Sequence, residues 1–497
     1  MSGIDFKEDP PVAKHNSPSS CWVIIHNNVY DVTTFLSSHP GGSSIILRYA
    51  GLDATSEYDP IHPAGILEET LSPSQILGPL DPSTIPKSPP ATTSSPKPAS
   101  EQVPLPPLAT QISLHDFETT AQKILPPKAW AYYNSAADDC VSKHYNNSIF
   151  QKILLRPRIF RNVTNISLST TLLGSPSRLP IFVAPAAMAR LAHPLGESAI
   201  AEAAGKAGII QCVSNNASLR PEQISAARVT SDQPLWFQLY IQSDRTKSEQ
   251  MLKRISAKGS GYTAVVLTLD APTPGKREQD ERVANIVAAT SAASGMGVGK
   301  ESKKGEGLGK ALFQGTAADL TWKDLEWLRK HTHLPIVLKG IQTYEDAILA
   351  ASQESLRLGV KGIVISNHGG RALDTAPPPL VTLMEIRKYA PQVLEKVEVY
   401  LDGGIMRGTD VVKAIALGAK AVGIGRPVLY GLSGYGVEGV ERVIKILEEE
   451  MATAVRLLGV TSLAELGWRC VNASALEGLV WREEDGAIDR AWGRAKL

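Results

Sequence analysis

Residues 362 to 374 read GIVISNHGGRALD. The β-branched run Ile363, Val364 and Ile365 suits a strand covered on both faces, as in a parallel sheet. His368 and Arg371 follow at once. They place a base and a fixed cation three residues apart at the carboxyl end of a buried strand, which is what proton abstraction from an anionic substrate requires. Gly369 and Gly370 let the backbone turn sharply between them. In isolation this spacing commonly serves loop hydrogen bonds, so its functional reading depends on the rest of the chain.

On either side of this stretch, apolar strand runs alternate with amphipathic or alanine-rich stretches of helical length, such as 196 to 207 and 409 to 417. The runs fall at 181 to 184, 209 to 213, 235 to 240, 264 to 269, 336 to 339, 362 to 365, 397 to 401 and 421 to 424. Eight such units predict an α/β fold, a closed parallel (β/α)8 barrel of the TIM type. One connection, 271 to 320, is rich in Gly, Ser, Ala and Lys and far longer than an ordinary loop, which marks it as functional or mobile.

Catalytic groups of such a barrel belong at the carboxyl ends of its strands. Polar residues stand there at six consecutive strands: Gln238 and Tyr240, Thr268 and Asp270, Lys339, His368 with Arg371, Asp402 with Gly403-Gly404, and Gly425-Arg426. Convergence of all six on one face is hard to explain as packing. LDGG and GIGRP follow the seventh and eighth strands, where barrels commonly hold a phosphate on backbone amides and a helix N-terminus. A phosphorylated cofactor is implied, and Lys339 is placed to stabilise negative charge developing on it.

The first eighty residues are organised differently, in short elements and turns. CWVIIHNNVYDV reads as a hairpin turning at Asn27-Asn28. His39, in FLSSHPGG, and His62, in DPIHP, stand twenty-three residues apart on either side of an apolar helical segment, 43 to 50. Two histidines so placed can clamp a haem iron from both faces, leaving no open position, although lone histidines are more often surface residues. Residues 81 to 107 hold nine prolines among Ser, Thr and Lys, a composition that buries too little apolar surface to fold and reads as a tether.

Composition narrows the function classes further. Of 497 residues, 51 are basic and 50 acidic, a net charge of +1, so no global field draws the chain to nucleic acid or an anionic membrane. The four cysteines, Cys21, Cys140, Cys212 and Cys470, fit neither a zinc site nor a disulfide framework and suggest a reducing compartment. No membrane span is expected, since the most apolar stretch, 414 to 432, is interrupted by Lys420 and Arg426. The start of the chain, with Asp5, Glu8, Asp9 and two prolines, reads as neither a secretory signal nor a mitochondrial presequence. The tail Ala495-Lys496-Leu497 differs from the peroxisomal tripeptide by one small-for-small change, so the cytoplasm or the peroxisome is expected.

These motifs carry two resemblances. HPGG with Trp22, Tyr30-Asp31-Val32 and Phe35 upstream, and His62 beyond, is similar to the cytochrome b5 fold over about residues 5 to 80. It implies that His39 and His62 are axial ligands of haem b. SNHGGRALD with the strand-end residues resembles the FMN-dependent 2-hydroxy-acid dehydrogenases and oxidases from about Ile112 to Leu466. The haem module and tether place the chain with members that carry both cofactors. The implied domains are 5 to 80 for haem, 81 to 107 for the tether and 108 to 497 for the FMN barrel.

The second resemblance implies that His368 is the base and Asp270 the carboxylate that holds its imidazolium and raises its pKa. Arg371 and Tyr132 would grip the substrate carboxylate, with Tyr240 on the hydroxyl and Arg277 nearby. FMN would lie on Pro185, Ala186 and Ala187, with Ser214, Gln238, Thr268 and Lys339 around its ring. Asp402, Gly404, Gly425 and Arg426 would hold ribose and phosphate. The implied reaction oxidises an L-2-hydroxy acid, L-lactate first, and relays electrons through haem to an acceptor such as cytochrome c. The alternative is an oxidase that uses oxygen, on a larger hydroxy acid. Many relatives are homotetramers. The side chains leave open whether electrons depart as a hydride or through a carbanion.

Three positions depart from the family pattern. Met406 stands first of two where Arg-Arg is usual after Asp-Gly-Gly, which removes a phosphate contact that Arg407 need not replace. Ala136 replaces a glycine after Tyr-Tyr-x-Ser, close to Tyr132. Asn216 stands where glycolate oxidases carry tryptophan and lactate enzymes an apolar side chain, which alters the pocket for the substrate side chain.

Overall fold

The computed structural model describes residues 11–36, 39, 43–59, 62, 66–80, 104–283, 308–313 and 315–482. Eight parallel strands close into a barrel in the order in which they occur along the chain: Ile181–Val183, Ile210–Val213, Leu235–Leu239, Tyr262–Thr268, Ile336–Ile341, Val360–Ile365, Glu398–Asp402 and Ala421–Ile424, the last pairing with the first. Each predicted strand run is present, with no end moved by more than two residues and the last, Ala421–Ile424, unchanged. The stretch 414 to 432 is divided among a helix, the eighth strand and the helix that begins at Arg426. No helix among the described residues is long and apolar enough to cross a membrane.

Alternation along each strand decides what the barrel holds. Residues pointing outward, such as Val183, Val213, Phe237, Leu267, Leu338, Ile365 and Leu401, join the core beneath the surrounding helices. Those pointing inward form a separate layer of Phe182, Cys212, Trp236, Val266, Val337, Val364, Tyr400 and Ala421. Phe182, Trp236 and Tyr400 lie with ring centroids 5.3 to 5.7 Å apart and plug the barrel. A short hairpin, Thr170–Leu172 with Ser175–Ser177, adds Leu172 to this layer.

Two residues further along each strand, the inward positions become Ala184, Ser214, Gln238, Thr268, Lys339, Ser366, Asp402 and Gly423. The same period of two that buries an apolar plug therefore sets a polar ring above it, at the carboxyl ends of the strands.

The N-terminal module is a four-stranded antiparallel sheet of Asn16–Ser17, Ser20–Ile25, Asn28–Asp31 and Ile76–Pro79, with helices Ser43–Arg48, Thr55–Tyr58 and Ile66–Thr70. Its hairpin turns one residue earlier than the sequence suggested: Ile25 pairs with Asn28, and the turn residues are His26 and Asn27, at φ 49° and 60°. Tight hairpins need positive φ at both central positions, and asparagine tolerates it well; histidine at the first was the less obvious choice. Tether residues 81 to 103 and the Ala495-Lys496-Leu497 tail lie outside the described residues. Pro106 already touches the barrel, its carbonyl accepting the Tyr435 hydroxyl at 2.7 Å.

Candidate active site

His368 occupies a left-handed backbone conformation, φ 60°, followed by Gly369 and Gly370 at 62° and 78°. A non-glycine residue there costs about 1 to 3 kcal/mol and persists only where its surroundings impose it. Ser366 Oγ accepts the His368 amide at 3.0 Å, and Asn367 Oδ1 accepts that of Gly370 at 3.1 Å. Asn367 is fixed in turn by a reciprocal amide pair with Asn146, at 2.7 and 2.8 Å. Asp374, at the end of the same stretch, accepts the Asp139, Val141 and Ser142 amides, tying the loop to the helix Val141–Ser148.

The turn aims the imidazole across the barrel mouth. His368 Nδ1 lies 3.0 Å from Asp270 Oδ1, and Nε2 lies 3.3 Å from the Tyr240 hydroxyl. Asp270, acceptor-only when ionised, accepts a hydrogen bond from Nδ1–H and so leaves the Nε2 lone pair facing the cavity. Room for Asp270 comes from an irregularity in the fifth strand. The register shifts between Lys339 and Ile341, and Gly340 has φ 106°; a Cβ there would sit 2.6 Å from that of Asp270.

The expected rise in the histidine pKa is not what the geometry produces. Burial outweighs attraction to Asp270 and, with repulsion from Lys339 and Arg277, holds the imidazole below its ordinary 6.5. A neutral base near pH 7 is the outcome. For Asp270 burial is again the largest influence and raises the pKa, but His368 and Lys339 overcome it and keep the carboxylate below its usual range.

Tyr132, Tyr240, Arg277, His368 and Arg371 line one cavity of about 310 Å³ with Pro185, Ala186, Ala187, Ser214, Gln238, Thr268, Lys339, Asp402, Gly404, Gly425 and Arg426. The Arg371 guanidinium lies 5.0 Å from the Tyr132 ring centre and donates to the Tyr132 and Tyr133 carbonyls at 2.8 and 3.1 Å. Arg277 is buried and lies 5.8 Å from the Phe313 ring centre. Burial first, then Arg371, lowers its pKa to about 10. Among the described residues neither arginine makes an ion pair. Two guanidiniums without an ion pair among the described residues, lining a cavity with an imidazole, suit a carboxylate ligand.

The opposite wall fits a flavin. Gln238 Oε1 accepts the Asn215 amide, but Gln238 Nε2 and Thr268 Oγ1 are buried without a partner among the described residues, on the wall where a heteroaromatic ring would bring acceptors and donors. Lys339 donates to Ser366 Oγ at 2.9 Å and lies 3.5 Å from Asp402. Burial opposes its charge most, yet Asp402 and Asp270 hold the ammonium above the usual lysine range.

Several residues that complete this site were not singled out from sequence. Ser366, Asn367 and Asn146 set the His368 turn. Phe313 stands 5.1 Å from the Tyr240 ring and 6.4 Å from that of His368. It is the only aromatic between 271 and 320, which was its available signal. Asn216, polar where an apolar residue was usual, donates to the Leu312 carbonyl at 3.2 Å and pins the returning end of the long connection over the cavity. Ala136 is buried beside Ala137, whose amide donates to Gly370, so the added methyl is accommodated.

In the N-terminal module the His39 and His62 ring centroids are 6.1 Å apart, tilted by 35°. Imidazoles bound on opposite sides of one metal, with bonds of roughly 2 Å, have centroids about 6 Å apart. His62 Nδ1 meets the Tyr58 carbonyl at 3.1 Å, which fixes the ring and leaves Nε2 for a metal. Burial, and then repulsion from His39, lowers the His62 pKa to about 4, keeping it neutral for ligation. Phe35, Leu36, Ile46, Leu47, Leu67 and Leu71 pack together in the same core, an apolar setting that suits a porphyrin.

Comparison with known proteins agrees with both halves. Residues 121–473 match the model of the FMN-dependent dehydrogenases, and residues 10–81 match that of the cytochrome b5-like haem/steroid-binding domain. L-lactate dehydrogenase (cytochrome) of Saccharomyces cerevisiae is 41% identical over 94% of this chain and 79% of that protein. Its counterpart from Wickerhamomyces anomalus is 39% identical over 92% and 78%. Glycolate oxidase of Spinacia oleracea is 38% identical over 71% of this chain. Among solved structures, a flavocytochrome b2 variant with pyruvate bound has a TM-score of 0.67 at 39% identity, covering 77% of this chain and 91% of that one. The chain is a member of the FMN-dependent dehydrogenase family that carries a cytochrome b5-like domain at its N-terminal end.

Proposed function

We propose that this chain oxidises an L-2-hydroxy acid, L-lactate first among them, to the 2-oxo acid and relays the electrons through haem b to a one-electron acceptor such as cytochrome c. The reading is carried by one arrangement: His368, bonded to Asp270, lines one cavity with the guanidiniums of Arg371 and Arg277, which make no ion pair among the described residues. Arg371 and Tyr132 hold the substrate carboxylate, and a planar guanidinium against a planar carboxylate fixes its orientation as well as its place. His368 Nε2 takes a proton from the substrate, Asp270 stabilises the imidazolium, and Tyr240 bonds the substrate hydroxyl. Pro185 to Ala187, Ser214, Gln238, Thr268 and Lys339 hold the FMN ring, and Asp402, Gly404, Gly425 and Arg426 its ribose and phosphate. Bound FMN supplies a two-electron acceptor, and haem held by His39 and His62 a one-electron carrier.

In this reading residues 5 to 80 are the carrier, 81 to 107 the tether and 108 to 497 the catalytic unit. A direct contact supports the relay: Arg190 Nη1, on the barrel, donates to the His62 carbonyl at 3.2 Å. The relatives that match nearly the whole chain are cytochrome-type dehydrogenases, whereas the oxidases match only its barrel part. We further propose a homotetramer. Ile159 is 80% and Phe160 101% exposed, with Leu154 and Trp468 also largely exposed, large apolar side chains of the kind that association between copies covers.

Stopped-flow spectra on adding L-lactate test the relay. Haem reduction should follow flavin reduction, and peroxide formation without haem reduction would favour the oxidase. Because His368 must be neutral to act, kcat/KM should fall as pH drops through a value below 6.5. Asp270→Asn should move this limb further down and lower kcat/KM roughly 10- to 100-fold, for about 1.5–3 kcal/mol lost with a charged hydrogen bond. An unmoved limb and unchanged rate would remove Asp270 from the mechanism. Light scattering on the purified protein should give four chain masses, and a monomer would remove the tetramer.

A further inference from the structure

The phosphate end of the cavity has a charge problem that the family pattern does not solve. Asp402 to Met406 form its floor, and the helix Val141–Ser148 lies across them. A Cβ on Gly404 would collide with the Asn146 carbonyl, and Asn147 Nδ2 donates to the Gly404 carbonyl at 2.7 Å. Among the described residues nothing lies within 4 Å of a Cβ built on Gly425, which leaves space beside it. Met406 lines this space with an uncharged thioether. Arg407 is turned away, its Nη1 donating to Glu450 at 2.7 Å. Arg426 spends Nε, Nη1 and Nη2 on the carbonyls of Tyr133, Gly369 and Ser135, at 2.8 to 2.9 Å.

Lys143 is left. It lines the same cavity and stands one helical turn before Asn147, on the same face. Its ammonium donates to Asn134 Oδ1 at 2.7 Å, an oxygen that also receives the Tyr430 hydroxyl at 3.4 Å. An ammonium has three protons to donate, and Lys143 makes no ion pair among the described residues. Burial, and then repulsion from Arg426, lower its pKa to about 8, with Glu118 attracting it in return. A half-buried cation held against another cation is in an unfavourable setting until an anion joins them.

We propose that Lys143 supplies the second side-chain cation for the FMN phosphate, in place of a guanidinium at position 406. The proposal rests on the assignment of FMN to this cavity. Flavin-free protein titrated with FMN and with riboflavin, which lacks the phosphate, tests it through quenching of flavin fluorescence. Lys143→Met should weaken FMN binding about 10-fold, the scale of one charge-assisted hydrogen bond, and leave riboflavin unchanged. Met406→Arg added to Lys143→Met should restore much of the FMN affinity. Loss of both flavins by the same factor would show a packing role and overturn the proposal, as would unchanged FMN binding. Wild-type protein that binds neither flavin would instead sink the cofactor assignment itself.

Discussion

The bond between His368 and Asp270 is the interaction on which the rest of the site depends. A buried imidazole can remain neutral, reach across a barrel mouth and still accept a proton only if a fixed anion waits behind it. Each partner is held at a structural cost. His368 takes a left-handed backbone, and Asp270 requires a bulge and a glycine in the neighbouring strand. Ser366 of the barrel's polar ring, Asn367 beside it and Asn146 from the helix Val141–Ser148 bond the turn, so the strain is sustained by buried hydrogen bonds.

The ring arises from the geometry that makes the barrel stable. Phe182, Trp236 and Tyr400 fill its lower interior, and two residues on, the same strands deliver Ala184, Gln238 and Asp402 to its upper face. Charge is then distributed by sign. Asp270 and Asp402 stand behind His368 and Lys339, while Arg277, Arg371 and Lys143 line the cavity without an ion pair among the described residues, Asp280 and Glu118 acting on Arg277 and Lys143 only from further off. An arrangement that leaves cations without ion pairs in a low-dielectric cavity is poised for anionic ligands, and both a carboxylate and a phosphate ester meet that description.

Much of this was legible in the sequence, for reasons that can be named. Strand runs such as Ile363 to Ile365 are apolar on both faces, and eight of them at βα spacing leave few architectures. SNHGGRALD carries its base, cation and turn within one local motif. Less legible were features set by contacts between distant segments. The turn at His26-Asn27 depends on the register imposed by Ile25 pairing with Asn28. The direction of the His368 pKa depends on how burial balances against Asp270, and spacing carries no burial. Phe313 and Asn216 meet through a connection whose composition reads only as irregular. Lys143 is an ordinary helical lysine until Met406 and Arg407 are seen to leave the phosphate end short of charge.

The most direct test of the central claim is the rate of flavin reduction in a single turnover with L-lactate carrying deuterium on its α-carbon, in the wild type and in His368→Gln. Breaking of that bond, with the imidazole accepting the proton that the substrate loses, predicts a primary isotope effect clearly above one in the wild type, and a loss of about 10²- to 10⁴-fold in the variant with FMN still bound. Flavin reduction indifferent to the deuterium and to the substitution alike would contradict the account.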